Sequence, residues 1–149
     1  MSKASGYFAS HGDAQTSTLI ARAVTSAATV TNLTLSGAAI AAGTALVLPN
    51  NTTWAFRVQV AARSMATGTP RETAGYDVTG VISRDANAAS TAINGTPTVT
   101  VLYETDAAWD FAVSADATLG ALNLLATGNN ETAVRWVATV NLTQVSGSD

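Results

Sequence analysis

From Leu19 to Val145, apolar and polar residues alternate one by one along most of this chain. That is the period of an extended strand with one face buried. The clearest stretch is "TTWAFRVQVAARS", with Trp54, Phe56, Val58 and Val60 on one face and Ala55, Arg57, Gln59, Ala61 and Arg63 on the other. "AGYDVTGVIS" sets Tyr76, Val78 and Ile82 against Asp77, Thr79 and Ser83. "AAWDFAVSA" sets Trp109, Phe111 and Val113 against Asp110, Ala112 and Ser114. "TAVRWVATVNLTQVS" sets Val134, Trp136, Ala138, Val140 and Leu142 against Arg135, Val137, Thr139 and Asn141. One apolar and one polar face per strand is the signature of antiparallel sheet closing over a single core.

Weaker strand segments fall at 19–24, 28–35, 44–48, 98–104 and 120–127, each bounded by turn-forming sequence. Asn94-Gly95 predicts a hairpin turn, and Pro97 just after it points to a sheet edge or a strand start. Gly120 predicts a bulge or a tight turn. Alanine in "SAATV" and "GAAIAAGTA" favours helix, but Gly37 and Gly43 bracket a segment too short to stand alone, so it reads as a loop. Eight to ten short strands at this spacing predict an all-β fold, an antiparallel β-sandwich of jelly-roll-like type. The three tryptophans, Phe56 and Phe111 lie on apolar faces and belong to the core. Tyr103, on the other phase of "TVTVLYE", is a partly exposed platform.

A chain of 149 residues fits one domain that buries a core without staples, and with no cysteine it has none to use. Net charge is −3 on 17 charged residues. The basic ones (Lys3, Arg22, Arg57, Arg63, Arg71, Arg84 and Arg135) are scattered along the sequence, which argues against a nucleic-acid partner. No apolar run approaches the roughly 20 residues of a membrane span. The N-terminus lacks the apolar stretch of a secretory signal, so the expectation is synthesis in the cytoplasm without membrane insertion. Ala and Thr supply 53 residues, and charged residues only 11% against about 25% in ordinary domains. A neutral surface of short hydrogen-bonding side chains suits stable, exposed, repetitive assemblies; codon bias in a GC-rich genome accounts equally well for the alanine.

Chemistry-bearing residues are sparse. The single histidine, His11, lies in the leader "SKASGYFASHGDAQTST", which leaves a nucleophile without a base. One histidine and no cysteine give no zinc site within a chain, although three copies of His11 around an axis would make a metal or anion site. Glu104, Asp106 and Asp110 cluster in "YETDAAWD". Asp106 and Asp110 straddle a turn, as an acid pair for glycoside hydrolysis would, but Asp is also an ordinary turn former. "RDAN" at 84–87 lacks the rest of a calcium loop. The sequence predicts no enzyme, no cofactor and no metal. The longest polar connection between two strong strands, "ARSMATGTPRETAGY", is where recognition on a rigid sandwich would sit; Arg63, Arg71 and Glu72 on it, with Tyr103, are the predicted contact residues.

"ASGYFASHGDAQ" resembles the last turn of the head repeats of trimeric autotransporter adhesins and phage tail fibres, with Gly6, Ala9 and Gly12 on the small-Gly-x-x-Ala-x-x-Gly pattern. The body from Gly12 to Val145 resembles the C-terminal domain of tail-fibre-like proteins of phages and prophages, most specifically in "LPNNTTWAF", "AAWDFAVSAD" and "RWVATV". The resemblance implies a leader over 1–17, the end of a trimeric β-solenoid-like stalk, and a sandwich tip over 18–149. Gly6, Tyr7, Phe8 and Gly12 would lie near a threefold axis, and the outward Val137 and the Ala55/Ala61 row would be buried between subunits. It implies a virion location, non-catalytic attachment of a homotrimer to host-surface glycan or protein, and contacts with other virion proteins. A capsid decoration or cement protein is the alternative, and a polysaccharide depolymerase a third. The chain starts with Met just before the last repeat, as an excised tip or a complete short virion protein would.

Overall fold

The computed structural model describes residues 1–3, 6–66 and 71–147. Among them are ten strands: β1 (Ser2–Lys3), β2 (Ala14–Thr25), β3 (Val30–Leu33), β4 (Leu46–Val47), β5 (Thr52–Ser64), β6 (Thr73–Arg84), β7 (Ala92–Glu104), β8 (Asp110–Asp116), β9 (Ala121–Thr127) and β10 (Val134–Ser146). A single 3₁₀ turn, Ala88–Ser90, precedes β7. The strongest alternating stretches become the long strands because every second side chain has a core to enter. In β5 and β10 burial alternates residue by residue almost from end to end.

The strands form two antiparallel sheets packed as a sandwich. The larger runs β1–β2–β10–β5–β6–β7. In the smaller, β3 and β4 pair with one side of β9 and β8 with the other. At the centre of the large sheet, β10 pairs with β2 over Val134–Val145 and with β5 over Val134–Ser146, both without a register break. β2 is continuous across residues 17 and 18, the boundary expected between leader and tip, because Ala14–Ser17 already ladder with Leu142–Val145. Residues 14–17 thus belong to the sandwich sheet.

Between the sheets lies a core of aromatic and branched side chains. Trp136 packs against Tyr76 at 6.3 Å between ring centroids and against Trp109 at 5.8 Å, and Tyr76 against Phe111 at 6.1 Å. The Trp136 Nε1–H donates to Thr25 Oγ1 at 3.0 Å, and the Tyr76 hydroxyl donates to Glu104 Oε2 at 3.1 Å. Burial, with the Glu104 bond and charge added, pushes the Tyr76 phenol above its usual range. The expected loop at 36–45 is one, held by threonine hydroxyls: Thr34 Oγ1 donates to Ala38 O at 2.8 Å and Thr44 Oγ1 to Ala39 O at 2.9 Å.

The Asn94-Gly95 hairpin prediction is corrected. Both residues lie inside β7, where the register with β6 jumps from Val81↔Asn94 to Thr79↔Thr98. Gly95, at φ 78°, turns the extra residues out as a bulge, so the left-handed geometry that would have closed a hairpin instead interrupts an edge strand. Pro97 sits on that edge, as predicted, where its missing N–H breaks no ladder. The turn predicted at Gly120 joins β8 to β9: its φ is 71° and its N–H donates to Asp116 O at 2.8 Å.

Gly80 of β6 faces Phe56 of β5 in register, and a Cβ there would stand 2.6 Å from Phe56 Cζ. The buried ring cannot retreat without opening the core, so Gly80→Ala is expected to cost about 1–3 kcal/mol through overpacking, read from the denaturant midpoint. At Gly75 the closest atom to an added Cβ is Val60 O at 3.5 Å, so Gly75→Ala is the matched control. Equal tolerance of the two substitutions would contradict the packing argument.

Candidate binding surface

The outward face of the large sheet is built by register. Side chains that alternate away from the core on β2, β10, β5 and β6 line up in transverse rows. One row reads Val24, Arg135, Arg63, Thr73; the next reads Arg22, Val137, Ala61, Gly75 and reaches Tyr103 on β7; the third reads Ile20, Thr139, Gln59, Asp77. Val137 and Ala61 are therefore neighbours, whereas Ala55 lies three rows further on beside Thr143.

In the first row Arg63 and Arg135 are direct cross-strand partners, which puts two exposed guanidinium side chains on Cβ atoms about 4.5–5.5 Å apart. Arg71 joins them from the segment leading into β6. Its neighbour Glu72 is clamped to the end of β5, with Ser64 N donating to Glu72 O at 3.0 Å and Glu72 N to Ser64 Oγ at 3.1 Å. On the other flank Met65 N donates to Ala133 O at 2.7 Å. The result is a depression of about 210 Å³ lined by Arg63, Ser64, Met65, Arg71 and Arg135.

The structure brings Arg63 and Arg71 into one depression with Arg135, which the sequence placed only on the outward face of its strand. Glu72 is adjacent through its backbone but does not line the depression, and Tyr103 stands two strands away from Arg63. Residues 67–70 of the predicted contact loop lie outside the described residues. A second depression of about 270 Å³, with Arg22, Val24, Ser36 and Val137 on its walls, shares Arg135 with the first.

The carboxylates picked out by sequence are engaged in the fold. Glu104 accepts from Tyr76, Asp110 Oδ1 accepts from Phe111 N at 2.8 Å, and Asp106 Oδ2 accepts from the buried Asn129 at 2.5 Å. Ala108 N also donates to Asp106, and these donors, the backbone one foremost, hold its carboxyl below the usual range. On the outer face Asp77 is held low by the Arg57 guanidinium, bonded at 2.9 and 3.0 Å.

The leader folds back on the sheet. Ser2 and Lys3 pair with Ser17 and Thr16, and the Met1 ammonium donates to Thr18 O at 3.0 Å. Residues 6–13 then wrap the carboxylate of Asp13, which accepts from the backbone N–H groups of Phe8, Ala9 and Ser10 at 2.7–3.1 Å. Gly12 closes the loop at φ 97°, and Gly6 is exposed with open space around it. Tyr7 and Phe8 are largely exposed, at 60% and 79%. Tyr7 packs on His11 at 4.7 Å between centroids.

No protein-family model matches the chain, and no curated protein matches it. Among solved structures it is similar to the tailspike protein of Acinetobacter phage vB_ApiP_P1, at 12% identity over 89% of this chain, with a TM-score of 0.32. The chain spans 22% of that tailspike's length.

The Asp13 carboxylate is held below its ordinary value, most strongly by the Ser10 and Ala9 N–H groups. A depressed folded value means that the loop's stabilisation is complete above the unfolded value of about 3.9. It is lost as pH falls through the still lower folded value. Amide exchange at Phe8, Ala9 and Ser10, corrected for intrinsic rates, is expected to stay protected from pH 7 down to about the unfolded value and to open below it. Asp13→Ala is expected to abolish the protection at every pH. Protection that titrates near neutrality would contradict this assignment.

Proposed function

We propose that this chain is a non-catalytic attachment module of a phage virion: the distal tip of a tail fibre that meets host-surface glycan or protein as a homotrimer. The sequence resemblance supplies the role. The observation that supports self-assembly is the edge strand β7. Val99 and Val101 pair with the core-facing Val78 and Tyr76, yet they are 42% and 50% exposed, and Leu102 and Tyr103 are 61% and 62% exposed. The bulge at 94–97 blunts one end of this edge and a second register break at Leu102 interrupts the other, while Thr98–Val101 between them pair in register with β6 and leave their outer side unpaired beside an apolar surface. Monomeric proteins avoid such an edge. A second copy of the chain, offering its own flat Val- and Thr-rich faces, is the occupant that fits.

Capsid decoration is the second reading, favoured by the same exposed edge, because a cement protein also works through contacts between neighbours. The depolymerase reading is weaker, because Asp106 is tied to Asn129 and to Ala108 N rather than left free to act as a pair with the exposed Asp110.

Light scattering at micromolar concentration is expected to give three times the 15.1 kDa chain mass. Charging the edge with Leu102→Lys and Val101→Lys is expected to yield folded monomer, since within one chain the first side chain is largely exposed and the second half-exposed. A monomeric wild-type protein would overturn the trimer. On a glycan array the wild type is expected to bind without releasing reducing ends. Silence on the array with binding to capsids would favour decoration, and release of reducing sugar would overturn the non-catalytic reading.

A further inference from the structure

The six arginines divide into two groups. Arg57 is spent on Asp77, Arg84 donates to Leu48 O at 2.7 Å, and Arg22 donates to Leu35 O and Ser36 O. The side chains of Arg63, Arg71 and Arg135 make no hydrogen bond or ion pair to any described residue, and all three line the same depression. In a chain of net charge −3 this concentration runs against the overall balance. It also runs against local stability: like charges directly opposite on neighbouring strands destabilise a sheet, and Arg63 and Arg135 are such a pair.

We infer that this depression binds an oxyanion group, a carboxylate or a sulfate ester, carried by an acidic polysaccharide. The inference rests on the attachment reading and names the class of glycan. Guanidinium groups present planar forks of N–H donors that match carboxylate and sulfate geometry, and an anion between Arg63 and Arg135 turns their repulsion into attraction. Ser64 adds a wall position at the base of the depression. The adjoining depression shares Arg135 and carries Val24 and Val137. It gives the next sugar of a chain an apolar surface to lie on, which a free inorganic anion would not use.

The test is titration calorimetry of the whole protein with polygalacturonate, dextran sulfate and neutral dextran in low salt. Binding to one or both acidic polymers, absent with dextran and weakening as salt rises, is expected. Arg63→Gln with Arg135→Gln is expected to lower that affinity at least tenfold while the melting temperature holds or rises, because the double change relieves a like-charge pair. Arg57→Gln removes one guanidinium charge from the same face outside the depression, as Arg135→Gln alone does within it, and is expected to leave binding unchanged where Arg135→Gln weakens it. Equal loss in Arg57→Gln would reduce the effect to net charge and overturn the site. Equally tight binding of single-stranded DNA with the same arginine dependence would overturn the saccharide assignment. A protein that binds array glycans but neither acidic polymer loses this inference and keeps the attachment reading. One that decorates capsids yet binds polygalacturonate through Arg63 and Arg135 loses the attachment reading and keeps the site.

Discussion

Trp136 is the contact on which the rest of the molecule depends. It sits near one end of β10, the strand flanked by both β2 and β5, and its ring meets Tyr76 of the same sheet and Trp109, which leads into the opposite one. Its N–H is satisfied by Thr25 across the strand pair, so a large aromatic is fully buried without an orphaned donor. With Phe111 and Phe56 completing the packing, the two sheets are fixed by side chains that all point inward. The outward face is left free of any structural duty in the core.

That freedom explains the character of the outer face. Thr, Asn, Gln and Ala are enough to keep β2, β10 and β5 extended there, and the few charged side chains are available for local purposes. One pair, Arg57 and Asp77, is neutralised across strands. Arg63, Arg71 and Arg135 are left unneutralised at one end, where Ser64, Glu72 and Ala133 pin the flanking backbone. The rigid frame sets the guanidinium spacing, and the loop ends bring Arg71 to it. At the edge of the same sheet, β7 leaves Val99 and Val101 partly exposed.

Much of this was legible in the residue pattern. The boundaries of β5 follow "TTWAFRVQVAARS" residue for residue, and Trp54, Phe56, Trp109, Phe111 and Trp136 are all buried. That Arg63 and Arg71 lie close together follows from the sequence, because they flank one polar connection between strong strands. That Arg135 lines the same depression was not legible, because nothing local distinguishes it from any other outward residue of β10. The only available signal was that both "AARS" and "AVRW" carry an arginine near a strand end, and that becomes meaningful only once β5 and β10 are known to be antiparallel neighbours. Asn94-Gly95 misled for a related reason. Its positive-φ preference is local, but whether that closes a hairpin or throws out a bulge depends on what β6 offers opposite.

The sequence by itself determined the extended conformation, the inward and outward face of each long strand, and the aromatic core. Period-two alternation forces those outcomes wherever one side is buried. Only the tertiary structure decided which strands are neighbours, and hence that Arg135 faces Arg63, that the leader lies along β2, and that β7 is an exposed apolar edge. Backbone ladders are the same for any pair of strands. Partner and register are chosen by how side chains far apart in the chain fill one shared core.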